Sequence, residues 1–134
     1  MGQAGRSSGR SRGGFTLIEL LVALVVIGLL VSIALPRFSK AREKAYQAQM
    51  QNDLRSLATA QEAYFDSYYT YTTSASSLNL NLAAGVSLSI SATGQGWSAT
   101  ASHTAIPVEC GMYYGSATAP AGIPVPGEGV VACN

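Results

Sequence analysis

One carboxylate lies within the most apolar stretch of the chain. Glu19 is the only charged residue between positions 15 and 35, where Leu, Val and Ile predominate. A carboxylate well inside a membrane-spanning helix costs on the order of 2–3.5 kcal/mol, and less near an interface. Because this stretch contains no Lys, Arg or His, a cation that neutralises Glu19 must come from elsewhere.

The two cysteines are a second candidate for chemistry. Cys110 and Cys133 have 22 residues between them, which is not the short spacing that a zinc site needs. If this end of the chain lies outside the cytoplasm, a disulfide is the favoured interpretation, and it would stabilise the fold by roughly 3 kcal/mol. The alternative is a pair of buried free thiols. Neither a metal site nor a cofactor is predicted.

The other polar motifs are too weak to indicate an enzyme. His103 is the only histidine, and its position at the end of an alternating stretch favours a packed or rim side chain over a catalytic base. Residues 94–99 fit the pattern G-x-G-x-x-A, but no helical pattern follows them, so dinucleotide binding is disfavoured. We therefore predict that the protein is not an enzyme.

The apolar stretch predicts a membrane span. Residues 15–35 comprise 21 positions, about 32 Å as a helix, which matches the ~30 Å hydrocarbon core of a bilayer. Residues 1–14 are rich in Gly, Ser and Arg and are interpreted as a disordered or targeting segment. A plain signal anchor would account for the hydropathy but not for Glu19.

The remainder of the chain predicts a helix followed by a sheet. Residues 36–68 place apolar side chains at steps of three and four, which predicts an amphipathic continuation of the helix, and residues 69–84 read as an irregular connection. Residues 86–93 and 97–104 alternate with period two around a Gly-rich turn, which predicts a hairpin, with shorter strand candidates at 111–115 and 129–133. The predicted fold is α+β: one long N-terminal helix packed on a small antiparallel head at 85–134.

The sequence G-F-T-L-I-E at positions 14–19 resembles the processing motif of type IV pilins and pseudopilins. The resemblance implies that a prepilin peptidase cleaves after Gly14 and that the new N-terminal Phe15 is methylated. It also implies that Glu19 sets the register between subunits by pairing with the cationic amine of Phe15 on a neighbouring subunit. Pairing with the Phe15 amine of the same helix, about one turn away, is the alternative. Gly28 and Pro36 stand where pilins carry their helix-weakening glycine and proline.

The function implied by this resemblance is that of a structural subunit of a type IV pilus. A leader (1–14) would be removed from a single-pass precursor surrounded by lipid of the bacterial inner membrane. An assembly platform would then polymerise the subunits into an extracellular filament, for adhesion, twitching motility or DNA uptake. The head, with a Cys110–Cys133 disulfide, would form the filament surface.

Two alternatives remain open. One is a type II secretion pseudopilin that forms a short periplasmic filament; the calcium site usual in its C-terminal region is disfavoured here, because the last 68 residues hold only two carboxylates, Glu109 and Glu128. The other is a membrane-anchored binding module that never polymerises.

The charge balance argues against nucleic acid as a partner. Three of the eight basic residues lie in positions 1–14, so their removal leaves five basic and seven acidic residues, a net charge of −2. A body of that charge does not attract DNA. The Ser- and Thr-rich strand faces are interpreted as the solvated side of the sheet, with O-glycosylation as the alternative.

Overall fold

The computed structural model describes residue 1 and residues 13–134. Most of the predicted leader, at positions 2–12, therefore lies outside the described residues. The chain divides into two compact units, Met1–Phe38 and Ser39–Asn134. The first contains the apolar half of the helix, and the second contains the amphipathic half and the sheet.

Helix α1 comprises Leu17–Tyr68. It begins two residues later than predicted because Thr16 caps it: the Thr16 Oγ1 accepts a hydrogen bond of 3.3 Å from the backbone amide of Glu19. A capping residue has non-helical dihedral angles, so it lies just outside the helix. The helix ends at Tyr68, as predicted, because Tyr69 has a φ of 55°, which is outside the helical region.

The predicted antiparallel sheet is confirmed. Its strands are β1 (Val86–Thr93), β2 (Gly96–His103), β3 (Ile106–Gly115) and β4 (Ala132–Cys133), and they lie side by side in that order. Strand β3 begins five residues before the predicted 111, although it includes Pro107. The missing amide of Pro107 is tolerated because Pro107 has no partner in either neighbouring strand. On the β2 side it lies in an irregularity between the pairs His103–Ile106 and Ser102–Glu109, and β4 pairs only with Cys110 and Gly111.

The core of the second unit lies between α1 and one face of the sheet. The helix contributes side chains spaced by three and four residues, and β2 contributes every second residue, as its alternation predicts. The most deeply buried of these apolar residues are Met50, Leu54, Leu57, Trp97, Ala99 and Ala101.

Two buried polar side chains of α1 hold the connection between the helix and the sheet. Gln61, which is 0% exposed, donates from Nε2 to the Thr72 carbonyl (2.6 Å), and its Oε1 accepts from the Thr72 amide (3.1 Å). Asp53 accepts a hydrogen bond of 3.0 Å from the Ala83 amide at its Oδ2. The connection is therefore attached to the helix near both of its ends.

Candidate processing and assembly segment

The N-terminal half of α1 presents its apolar side chains outward. Every large apolar side chain between Leu17 and Leu35 is exposed, from 46% for Val31 to 82% for Leu17. The most apolar window of α1 has a mean hydropathy of 2.9 and is long enough to cross a membrane. Because full burial of one Leu, Ile or Val stabilises by about 1.5–3 kcal/mol, lipid or other protein chains are the favourable surroundings for this segment.

Glu19 lies in the first turn of α1, and its side chain is exposed. Thr16 and Glu19 have the spacing of a capping box, in which a hydroxyl at the N-cap bonds the amide three residues later. A negative charge in the first turn also interacts favourably with the helix dipole. The carboxylate is thus supported by its own helix end and remains accessible to a cation from outside.

The Gly14–Phe15 bond precedes the helix. Both residues lie outside regular secondary structure, and the Phe15 side chain is 84% exposed. A Cβ atom placed on Gly14 would meet nothing within 4 Å among the residues that the structure describes. No contact with the described residues therefore covers the Cα of Gly14.

Gly28 and Pro36 both lie inside α1, which continues through them. A Cβ on Gly28 would meet nothing within 4 Å, so no contact within the described chain requires a glycine there. Pro36 cannot donate to the carbonyl of Ser32 one turn earlier, so that carbonyl lacks its helical partner. The roles of both residues in helix weakening remain predictions.

Cys110 and Cys133 form a disulfide, and the two residues are direct partners on β3 and β4. Gln51 Nε2 of α1 lies 3.4 Å from the Cys133 Sγ. Beside this bond, the Glu109 amide donates to Asn134 Oδ1 (3.0 Å), and the Asn134 amide donates to the Glu109 carbonyl (3.1 Å). The C-terminus is thus attached to the sheet by a covalent bond and by hydrogen bonds.

His103, at the end of β2, is packed against α1 and the loops beside it. Its ring stacks on Tyr46 with centroids 4.2 Å apart, and its Nδ1 accepts a hydrogen bond of 3.0 Å from the Ala105 amide. Because Nδ1 accepts, the proton lies on Nε2, which donates to the Ala84 carbonyl at 3.2 Å. Both ring nitrogens are occupied by structural contacts. Sequence analysis did not identify Tyr46 as the partner, because 57 positions separate the two residues and no local pattern links them.

These features define a class of protein: an exposed apolar N-terminal helix with an acid in its first turn, an accessible Gly–Phe junction before it and a small helix-on-sheet head. Residues 9–35 match the family described as the prokaryotic N-terminal methylation motif. The chain therefore carries the N-terminal methylation motif of prokaryotic type IV pilins, and the predicted resemblance is confirmed.

Its relatives are pilins and secretion-system proteins. The chain is 42% identical over 60 residues to the type IV major pilin protein PilA of Myxococcus xanthus, covering 45% of this chain and 27% of the relative. It is 36% identical over 55 residues to the type II secretion system core protein G of Aeromonas hydrophila (41% and 38%). It is 54% identical over 37 residues to the type IV narrow pilus major component PilA5 of Thermus thermophilus (28% and 32%). The chain spans about a third of the length of these curated relatives.

Proposed function

We propose that this chain is a structural subunit of a type IV pilus. It is inserted in the bacterial inner membrane as a single-pass precursor, cleaved between Gly14 and Phe15, methylated on Phe15 and polymerised into a surface filament. The observation that supports this most directly is Glu19: a carboxylate lies one turn inside an exposed apolar helix. Cleavage after Gly14 would create a cationic amine on Phe15, about one helical turn before Glu19.

A charge pair between the Phe15 amine of one subunit and Glu19 of its neighbour would give the assembly a defined register. Methylation of the Phe15 amine leaves it protonated at neutral pH, so it remains a cation that Glu19 of a neighbouring subunit can bind. Removing one partner from a buried ion pair costs about 3–5 kcal/mol. At about 3 kcal/mol, a register that leaves Glu19 unpaired is populated more than a hundredfold less than the paired register.

Insertion, processing and polymerisation imply the partners of the chain. They are lipid before assembly, the prepilin peptidase, an inner-membrane assembly platform and further copies of the chain. Local weakening of the helix between Gly28 and Pro36 would let it adapt to the filament interior. The role is structural rather than enzymatic, and it needs no cofactor and no nucleic-acid partner.

A type II secretion pseudopilin is the second candidate. It is favoured by relatives that are core proteins G of type II secretion systems. The two proposals share insertion, cleavage and polymerisation. They differ in the location of the filament, which extends outside the cell for the pilus and stays within the periplasm for the pseudopilus.

Intact mass of filaments sheared from the native host tests the proposal. We expect an abundant species that begins at N-methyl-Phe15 and is two hydrogens lighter for the disulfide. Confinement of the processed species to the membrane would favour the pseudopilin, and a chain that still begins at Met1 in cells with active peptidase would refute both. Any further mass would indicate glycosylation of the Ser- and Thr-rich strands.

Substitution at the junction provides a matched control. Gly14→Val should leave the precursor uncleaved, because the peptidase recognises the glycine directly before the scissile bond. Gly13→Val is one residue earlier and equally free of neighbours within 4 Å in the described part of the chain, and it should be cleaved. Equal cleavage of both variants would contradict the assigned site.

A further inference from the structure

A cavity opens on the head where α1 meets β2 and β3. Its volume is about 330 Å³, and its lining includes Glu62, Trp97, Met112 and Tyr114. Trp97 is 1% exposed, and its indole Nε1 has no hydrogen-bond partner among the described residues. The walls are mainly apolar and aromatic, and one carboxylate stands among them.

The cavity continues into an acidic and aromatic rim. The Tyr71 hydroxyl donates to Glu62 Oε1 at 3.1 Å, and the Tyr71 ring lies edge-on to Tyr114 with centroids 6.5 Å apart. On the adjoining loop, Glu128 Oε1 accepts from the Gly115 amide at 2.9 Å. We call the cavity together with Glu62 and Glu128 the acidic pocket.

The hydrogen-bond donors to the two carboxylates of the acidic pocket are neutral among the described residues. Glu62 and Glu128 accept hydrogen bonds from neutral donors, a phenol and a backbone amide. Burial, the hydrogen bond to Glu62, and the charges of Glu62, Tyr114 and Glu128 together raise the pKa of Tyr71 to about 12. Glu62 and Glu128 both act in the direction of a raised pKa, so each makes the electrostatic potential at the phenol more negative.

These features match the chemistry of a lysine side chain. A lysine has an aliphatic stem that packs against apolar and aromatic walls, and an ammonium group that stays at the polar rim. The ammonium can bind a carboxylate through a charge-assisted hydrogen bond and lie over the face of an aromatic ring. A neutral or acidic ligand would gain none of the electrostatic interaction.

The same chain carries exposed lysines of suitable placement. Lys40 and Lys44 are four residues apart on α1, and both are exposed, so they share one helix face. We call this pair the basic face. Arg42, which lies between the two lysines in sequence, donates to the Tyr46 hydroxyl, and Arg55 farther along the helix donates to Asn52 Oδ1.

Within one molecule the basic face cannot reach the acidic pocket. Lys44 and Glu62 lie 18 positions apart on the same helix, which corresponds to about 27 Å along its axis. A lysine side chain spans only about 6 Å from Cα to Nζ, because it contains five bonds of about 1.5 Å. Contact between the two surfaces therefore requires two copies of the chain.

We propose that the acidic pocket receives Lys40 or Lys44 from a second copy of this chain. The inference rests on the proposed function, because it names a contact between subunits of the filament. In the proposed filament the subunits point in the same direction, and the two patches lie about 27 Å apart along one helix. The contact is then heterologous, and a heterologous contact that does not close into a ring propagates into a helical assembly. A helical filament gives each subunit neighbours at several axial offsets. An offset of about 27 Å is therefore compatible with a separate contact at Glu19.

A charge swap in the native host tests the inference. The readout is the yield of sheared filaments relative to processed subunit in the membrane. Glu62→Lys should lower this ratio about tenfold, which corresponds to about 1.4 kcal/mol. Combining it with Lys40→Glu or Lys44→Glu should restore the ratio to within about twofold of wild type. Glu109→Lys makes the same charge change about 17 Å along β3 from Tyr114, and neither lysine substitution should rescue any effect it has.

Glu62→Gln separates charge from folding. It keeps an oxygen that can accept from Tyr71 but removes the negative charge, so it should also lower the filament ratio. If neither lysine substitution rescues Glu62→Lys, the inference is overturned. If Glu62→Lys fails to accumulate as processed subunit, a wild-type filament ratio for Glu62→Gln overturns it instead. Absence of the wild-type chain from any filament would refute the proposed function itself.

Discussion

Replacing Gln61 by alanine should destabilise the head strongly, although the side chain is polar. Gln61 is 0% exposed, and its amide makes both hydrogen bonds to the backbone of Thr72. The substitution leaves a donor and an acceptor of Thr72 without partners. Each such group costs about 1–3 kcal/mol when buried. Because Thr72 is only half-buried, water can partly replace the amide. We therefore expect the free energy of unfolding to fall by about 2–4 kcal/mol.

The assay is urea denaturation of the full chain in detergent, followed by the fluorescence of Trp97. This is the only tryptophan of the chain and is 1% exposed, so unfolding changes its surroundings. Gln49→Ala, on an exposed position of the same helix, is the matched control and should change stability by less than about 0.5 kcal/mol.

Gln61→Glu distinguishes the hydrogen bonds from simple packing. It has nearly the same volume and keeps the acceptor for the Thr72 amide, but it places a carboxylate oxygen against the Thr72 carbonyl, 2.6 Å from the present donor. It should destabilise at neutral pH at least as much as Gln61→Ala, and should recover in acid when the carboxyl group can donate. Wild-type stability of Gln61→Glu at neutral pH, or a loss below about 0.5 kcal/mol for Gln61→Ala, would refute the reasoning.

Three further predictions concern the assembly segment (residues 14–36) and the head. Glu19→Gln should insert and be cleaved normally but lower filament yield about a hundredfold, as expected for about 3 kcal/mol; normal yield would exclude the charge pair. Replacing Cys110 and Cys133 by serine should lower the free energy of unfolding in urea by roughly 3 kcal/mol, and an unchanged urea midpoint would contradict this. Burial and Glu62 raise the folded-state pKa of Tyr71 from 10.0 to about 12. The raised pKa therefore stabilises the folded state fully below pH 10. This stabilisation is lost as the pH rises from 10 to 12, because the Tyr71 phenol of the unfolded chain releases its proton first. Tyr71→Phe should remove that part of the alkaline loss, and identical alkaline denaturation curves would show that Tyr71 does not cause it.

The architecture of this chain could largely be predicted from local patterns. A period of 3.6 predicted the helix up to Tyr68, and a period of two predicted the hairpin of β1 and β2. The errors lie at element boundaries. Thr16 shortens the helix through a cap, and β3 extends back through Pro107, where no neighbouring strand needs its amide. A boundary depends on single hydrogen bonds, which average periodicity does not reveal.

The sequence by itself determined the features that lie within a few residues of one another. These are the Gly14–Phe15 junction, the apolar stretch and Glu19 within it, because peptidase recognition and membrane insertion depend on contiguous residues. Only the tertiary structure decided which distant groups meet: Gln61 with Thr72, His103 with Tyr46, and Glu62 with the aromatic wall of the acidic pocket. Periodicity indicates which face of an element is buried but not what packs against it, since that depends on how the elements dock. For that reason, the assembly segment was visible in the sequence, and the acidic pocket became visible only in the folded head.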